Sequence, residues 1–274
     1  GARNLVPACA FPIAEGMKIQ THSPRVVDAR KTIIELLLAN HPQDCLKCDR
    51  NGNCQLQSLA EEYGIREIRF KGKIRHNLPD LSSSAIERDP DKCILCGRCV
   101  KVCEEVQCVN AIDFTKRGFE TIIAPAFNQS LQDTVCINCG QCIMVCPTGA
   151  LREKSAIKKV NEAINNAKKF VVVQTAPAIR VTIGEAMGMD AGAISTGKMV
   201  TGLRKLGFDK VFDTNLAADL TIMEEGSELV DRIKKGRPLP LMTSCSPGWI
   251  KFVEHFYPQL IPNLSTCKSP HEML

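Results

Sequence analysis

The chain has 274 residues, with 35 Lys and Arg against 30 Asp and Glu and a formal net charge of +5. At ~150 residues per domain this length suggests about two domains, or more if small metal-stapled modules are present. The basic residues are scattered, which removes the electrostatic footprint of a nucleic-acid binder, no apolar run approaches the ~18 residues of a membrane span, and Gly1–Asn4 lacks a signal-peptide hydrophobic region. A soluble, cytoplasmic protein is expected.

In chain order, residues 5–12 and 17–21 read as short extended segments separated by Pro and Gly, with Cys9 standing alone. The chain starts without Met inside a strand-like pattern, so a longer parent sequence is expected upstream. Val27, Ile33, Ile34 and Leu37 have helical spacing over 26–38, ending before Pro42. Two cysteine runs, Cys93–Cys103 and Cys136–Cys146, then form an internal repeat around a strand-like piece, Gly118–Ile123. Ile157, Val160, Ile164 and Ala167 predict an amphipathic helix over 154–169. Beyond it, strands at 170–174, 210–212 and 240–243 alternate with helices at 199–206 and 216–235, which suggests a buried, largely parallel sheet. Leu274 follows too soon to close a sheet of useful size, so a further segment is expected.

The chain has 15 cysteines, and only Cys245 and Cys267 lie beyond Cys146. Such clustering suits reduced metal ligands better than a disulfide framework. Aromatics are 5% of residues, with one Trp. A cysteine-dense region with few large side chains needs bound metal for stability. Cys136-x2-Cys139-x2-Cys142-x3-Cys146-Pro147 is the ferredoxin run in which three thiolates bind one 4Fe-4S cluster and the fourth crosses to another. Cys93-x2-Cys96-x2-Cys99-x3-Cys103 repeats the spacing, with Glu104 in the place of the proline. One cube is therefore assigned to Cys93, Cys96, Cys99 and Cys146, the other to Cys103, Cys136, Cys139 and Cys142. Zinc also takes four thiolates, but it seldom needs four regularly spaced cysteines in each of two copies.

Cys108 fits neither run and reads as a small buried hydrophobe. His41-x3-Cys45-x2-Cys48-x5-Cys54 offers four more ligands. An imidazole in place of a thiolate makes a cluster one unit less negative and raises its potential. A zinc site, or a histidine uninvolved with its neighbours, competes with that reading. Cys9 gains meaning only from context, as a last ligand of an upstream 2Fe-2S centre.

In the second half, Gly184, Gly188 and Gly192 do not make a dinucleotide turn, and no Walker phosphate loop is present. In Thr243-Ser244-Cys245-Ser246-Pro247-Gly248-Trp249 a strand ends and proline starts a helix, so the Cys245 thiol can face a pocket. Glu225, Glu228 and Arg232 share one helix face. The plain reading of that face is a solvated, salt-bridged one.

Together these pieces resemble the catalytic subunit of an iron-only (FeFe) hydrogenase, of the multi-cluster type found in NAD-linked electron-bifurcating complexes. The match in the second half rests on Thr175–Arg180, Ala218–Glu225 and Thr243–Trp249. The resemblance implies an α+β multi-domain protein. Its parts would be the end of a 2Fe-2S ferredoxin domain (1–17), a histidine-and-three-cysteine 4Fe-4S module (18–85), a bacterial two-cluster ferredoxin fold (86–152) and an incomplete α/β H-domain (153–274). It implies that Cys245 hands protons to a di-iron centre, with Glu228, Ser265, Glu225 and Arg232 continuing the route, and that Ala176, Pro177 and Ser246 contact the H-cluster. It also implies reversible oxidation of hydrogen, with ferredoxin as an electron carrier. The implied partners are a flavin- and NAD-binding subunit, a thioredoxin-like 2Fe-2S subunit and soluble ferredoxin. The sequence departs from the family at one point: of two adjacent cysteines, the second binds the cubane half of the H-cluster, and here it is Ser246. Either this oxygen coordinates, or Cys245 or Cys267 substitutes, or the cluster is altered. A related iron-sulfur subunit of formate dehydrogenase or NADH dehydrogenase type, and a non-catalytic electron-transfer homologue, are the competing readings.

Overall fold

The computed structural model describes residues 4–274, which form two compact units. The first comprises residues up to 134 together with 140–153; the second comprises 135–139 and 154–274.

In the first unit, α1 (Pro24–Ala39) begins at a proline, whose fixed φ and missing N–H suit a first helical turn. It buries Ile34 and packs against α2 (Gln55–Glu62), which starts directly after Cys54. Residues 5–12 and 17–21 form no strand and are exposed. A strand needs a partner for its backbone groups, and these segments pair with nothing.

Two antiparallel pairs follow: β1 (Ile86–Arg88) with β4 (Leu151–Glu153), and β2 (Asp113–Thr115) with β3 (Ile122–Ala124). Short helices α3 (Arg98–Lys101) and α4 (Gln141–Val145) pack against one another. The expected strand over 118–123 is a 3-10 turn, Gly118–Glu120, leading into β3. Ile86, Ile122, Ile123, Ala124, Leu131 and Leu151 are buried. This is a thin core, built from aliphatic side chains of modest size.

The second unit contains α5 (Ile157–Ile164), shorter than its sequence pattern and without a buried residue. β5 (Val172–Thr175) pairs in parallel with β6 (Lys210–Asp213). Around these strands lie α6 (Ile179–Ala186), α7 (Thr196–Leu206), α8 (Thr214–Lys235), α9 (Pro247–Phe256) and α10 (Pro270–Met273). The expected buried sheet is instead two-stranded and mostly exposed, with only Thr175 buried. Residues 240–243 contribute a single bridge, Met242 to Leu264, in which the Met242 N–H donates to the Asn263 carbonyl at 2.8 Å and the Ser265 N–H to the Met242 carbonyl at 2.7 Å. Among the described residues, no helix is long and apolar enough to cross a membrane.

Helix α8 has the clearest local logic. The Asp213 side chain accepts the Asn215 N–H at its start, and Gly236 ends it in a left-handed conformation at φ +62°. Ala217, Thr221 and Arg232 are its buried residues. The plain expectation of a solvated face therefore fails at Arg232, which is 4% exposed. Its guanidinium donates to Glu228 at 2.7 Å and to the carbonyls of Pro262 at 3.0 Å and Leu264 at 2.7 Å. These acceptors compensate the buried charge. Arg232→Ala would leave Glu228 unpaired and should destabilise this unit by ~3–5 kcal/mol. Denaturant titration followed by fluorescence of Trp249, the chain's one tryptophan, measures it.

Candidate functional site

The two cysteine loops share one backbone course. Leu95 (φ +56°) precedes Cys96 and Gly97 (φ +72°) follows it; Asn138 (φ +57°) precedes Cys139 and Gly140 (φ +74°) follows it. Left-handed backbone costs a bulky L-residue ~1–2 kcal/mol, so Leu95 is held there by its surroundings. One gain is local, because the Leu95 N–H reaches the Cys93 sulfur at 3.4 Å.

Cys93, Cys96, Cys99 and Cys146 line one pocket together with Arg88, Ile123 and Leu151. Burial, reinforced by the neighbouring Cys93, Cys146 and Cys96, pushes the Cys99 thiol up to about 12. Burial also raises Cys93, against the Leu95 N–H, which favours its thiolate. Thiols so placed keep their protons until a cationic centre among them makes thiolates favourable, and its binding then releases those protons.

Three guanidinium groups of this unit, Arg50, Arg75 and Arg88, each bury an Nε–H without an acceptor. An unmade buried hydrogen bond costs ~1–3 kcal/mol. Arg88 lines the pocket, Arg75 is near enough to favour the Cys93 thiolate electrostatically, and Arg50 reaches the Cys146 carbonyl at 3.4 Å. Spare donors around a ring of thiols suit a bound group rich in sulfide acceptors. A tetrahedral zinc would instead need its sulfurs about 2.3 Å from one point. Four cysteines in ferredoxin spacing on one pocket, with the buried Arg88 in its wall, fit an iron-sulfur cube.

His41, Cys45, Cys48 and Cys54 lie on the loop between α1 and α2. Burial holds His41 below its ordinary pKa, with Asp44 opposing and the nearby Lys92 assisting. A neutral imidazole with a free lone pair results, which is the form a metal binds. This loop is docked on the turn after Cys146: the Gln55 N–H donates to the Pro147 carbonyl at 2.9 Å, and Arg98 to the Gln55 side chain at 2.8 Å. Gly149 sits where a Cβ would come within 3.0 Å of the Cys48 sulfur. A side chain there would press on that sulfur, which would have to give by a few tenths of an ångström.

Of the other predicted cube, Cys103 and Cys142 lie in the first unit and Cys136 and Cys139 in the second. The Ala111 N–H donates to the Cys103 sulfur at 3.4 Å. Where Pro147 turns the chain after Cys146, the segment after Cys103 instead continues as a π-helical turn, Val102–Val106, and then takes left-handed steps at Cys108 and Asn110. Cys108 is exposed at φ +54°, so it is not the buried hydrophobe expected from its type. Within the second unit, a Cβ on Gly248 would lie 3.4 Å from the Ile137 carbonyl, so the Cys136–Cys139 loop abuts the start of α9. Cys9 is exposed.

Also in the second unit, Cys245 and Ser246 are exposed at the end of an extended segment. Ser246 is the N-cap residue of α9, yet its hydroxyl makes no capping bond. Ala176 and Pro177 follow β5 and are exposed, with Arg180 donating to the Pro177 carbonyl at 2.9 Å. Glu228 is the hub: one carboxylate oxygen accepts from Arg232, the other from the Ser265 hydroxyl at 3.0 Å, the Thr266 N–H at 3.1 Å and the Cys267 thiol at 3.8 Å. Burial pushes the Glu228 pKa up, but Arg232, the Thr266 N–H and Ser265 outweigh it, leaving the pKa below the ordinary carboxylate value. The hydrogen bonds thus run Ser265–Glu228–Arg232. Among the described residues, the side chain of Glu225, one turn earlier on the helix, makes no hydrogen bond, and none joins Cys245 to the Ser265–Glu228–Arg232 series. Cys267 lies beside Glu228 although sequence reasoning gave it no part in proton transfer.

Three family models match. Residues 169–274 match the iron only hydrogenase large subunit, C-terminal domain; residues 30–69 match the NADH-ubiquinone oxidoreductase-G iron-sulfur binding region; residues 92–150 match a 4Fe-4S dicluster domain. The whole chain is 52% identical to the NADP-reducing hydrogenase subunit HndD of Solidesulfovibrio fructosivorans, covering 48% of that protein. Over 98% of the chain it is 44% identical to iron hydrogenase 1 of Clostridium pasteurianum, covering 47% of it. An NAD+-reducing NiFe-hydrogenase, solved in its H2-reduced state, superimposes on 54% of this chain and 63% of its own, at TM-score 0.50 and 30% identity.

The match after residue 168 separates this chain from the formate- and NADH-dehydrogenase readings, because the iron-sulfur modules alone are shared among several oxidoreductases. Residues 169–274 thus carry the C-terminal domain of iron-only hydrogenases, behind 4Fe-4S modules, in a chain similar throughout to hydrogenase subunits. The chain spans about half the length of the curated relatives it matches.

The contact at Gly149 gives a direct test. Gly149→Ala should displace Cys48 and lower the iron and acid-labile sulfide of the purified protein by up to one cluster, with the cube of Cys93, Cys96, Cys99 and Cys146 retained.

Proposed function

We propose that this chain is the electron-entry and proton-delivery portion of a hydrogenase that interconverts H2 with two protons and two electrons. The observation that carries the reading is one pocket lined by four cysteines, Cys99 and Cys146 buried among them, with the buried Arg88 in its wall, in a chain whose residues 169–274 match the hydrogenase C-terminal domain. Cys93, Cys96, Cys99 and Cys146 would hold one 4Fe-4S cluster, Cys103, Cys136, Cys139 and Cys142 a second, and His41, Cys45, Cys48 and Cys54 a third. Cys9 would be the last ligand of a 2Fe-2S centre. These groups supply one-electron storage when bound, and an H-cluster supplies the bond chemistry of hydrogen.

The chain's own residues position and meter. Left-handed steps at Leu95, Gly97, Asn138 and Gly140 shape the ligand loops. Cys245, exposed at its strand end, presents a thiol proton. Ser265 can relay a proton to the Glu228 carboxylate, to which its hydroxyl already donates, as it takes another from a donor on its far side; the Arg232 guanidinium, which has no site for a proton, favours the ionised carboxylate and so the release of that proton to the next acceptor. Glu225 and Cys245 belong to this route by resemblance; the hydrogen bonds support the order Ser265, Glu228, Arg232. Ala176, Pro177 and Ser246 would contact the H-cluster. At position 246 the fit is poor, since a hydroxyl is a harder donor than the thiolate of that family position. This favours a second reading, an electron-transfer homologue without the H-cluster.

The name of the HndD relative, an NADP-reducing hydrogenase subunit, supports partner subunits and a link to NAD(P). That these partners are a flavin- and NAD-binding subunit and a thioredoxin-like 2Fe-2S subunit, with ferredoxin exchange and electron bifurcation, rests on the resemblance alone.

Infrared spectroscopy of the matured, full-length protein decides between the two readings. Carbon-monoxide and cyanide stretching bands are expected for the hydrogenase, and their absence selects the electron-transfer homologue. The histidine ligand makes a separate prediction. His41→Cys adds one negative charge to its cluster, so the midpoint potential of that cluster should fall, as read by redox titration with paramagnetic resonance detection.

A further inference from the structure

Arg88 lies on β1 opposite Leu151 of β4, and both residues line the thiol pocket. It is 5% exposed. Nη1 donates to the Ile123 carbonyl at 3.1 Å, Nη2 donates to the Asn128 side chain at 3.1 Å, and Asp80 lies 3.6 Å from Nη2. Backbone bonds at 2.7 and 3.0 Å tie Asp80 to Arg88 in both directions. The guanidinium fork is therefore fixed by its ends, while its Nε–H is buried without a partner. A strap serving only to join β1 to β3 would not need its cation in the wall of a cysteine pocket.

We infer that Arg88 sets the reduction potential of the cluster held by Cys93, Cys96, Cys99 and Cys146, its buried charge and its spare Nε–H favouring the reduced state. The inference rests on the cluster reading given above. Reduction adds one negative charge to the cluster, so a nearby fixed cation stabilises the reduced form and raises the potential. A hydrogen bond to a cluster sulfur acts in the same direction.

Burial is what singles out Arg88. Arg75 also favours the Cys93 thiolate electrostatically and stacks 5.0 Å over the Phe119 ring, with Lys73 at 5.3 Å from the same ring, but Arg75 is only half-buried and solvent screens it. Arg88 and Cys93 interact electrostatically behind the protein surface. Asp80 acts as the opposing charge. It is kept ionised by the Ser82 hydroxyl and the N–H groups of Ser82 and Leu131, and it does not line the pocket. Arg88 and Asp80 should therefore shift the potential in opposite directions, which a structural strap does not require.

The test is a redox titration of the full-length, matured protein with paramagnetic resonance detection, the relevant signal being assigned by its loss in Cys96→Ala. Arg88→Gln should move that midpoint to lower potential, Arg88→Lys should move it less, and Asp80→Asn should move it higher, with the signals of the other clusters unmoved. If Arg88→Gln fails to hold the cluster, Asp80→Asn carries the test, because it leaves Arg88 in place. A midpoint unmoved by Asp80→Asn, or moved in the same direction by both substitutions, overturns the role of Arg88. Absence of the signal from the unaltered protein overturns the cluster reading beneath it.

Discussion

The pocket of the first unit sets one electrostatic constraint: four thiols line it together, and their anions would repel each other. Burial, with the neighbouring thiols adding to it, pushes Cys99 and Cys93 upward. The protein's contribution is to bring the sulfurs together and to line the wall with N–H donors and guanidinium groups. The thin aliphatic core is consistent with this arrangement, since a small cysteine-rich module draws stability from what its thiols bind.

The second unit rests on a different pairing. Arg232 and Glu228 are buried together, and between them they bind the segment from Pro262 to Cys267 through backbone carbonyls, an N–H, a hydroxyl and a thiol. The same bonds that fix this segment against α8 place a carboxylate next to two groups able to donate protons. Structural and chemical roles coincide in one side chain, so the position of Glu228 is set by folding rather than by a substrate. The apolar strands β5 and β6 lie largely exposed nearby and take no part in this network.

Much of this was legible in the sequence, for identifiable reasons. Regular cysteine spacing encodes a local loop, and the loops of Cys93 and Cys136 do share one backbone course. Helix α8 was readable from the spacing of its apolar and charged residues. Other features depend on contacts between residues far apart in the chain, which spacing cannot report. The docking of the His41 loop on the turn after Cys146 is of this kind, as is the partnership of Ser265 and Cys267 with Glu228. The guanidinium groups of Arg50, Arg75 and Arg88 carry no local signature, because an arginine in sequence reads as surface until its burial is known. The segments at residues 5–12 and 17–21 had the composition of strands but no partner, and strand formation is a property of pairs.

One close approach has a bearing on how such proteins can be recombined. The turn at Gly149 is at once part of the wall around one set of ligands and the surface on which Cys48 rests. A chimera that exchanges the histidine-bearing loop for a relative's must therefore carry the Cys146–Ala150 turn along with it, although about a hundred positions separate the two in the chain. Modules that look interchangeable on paper are here a single graft.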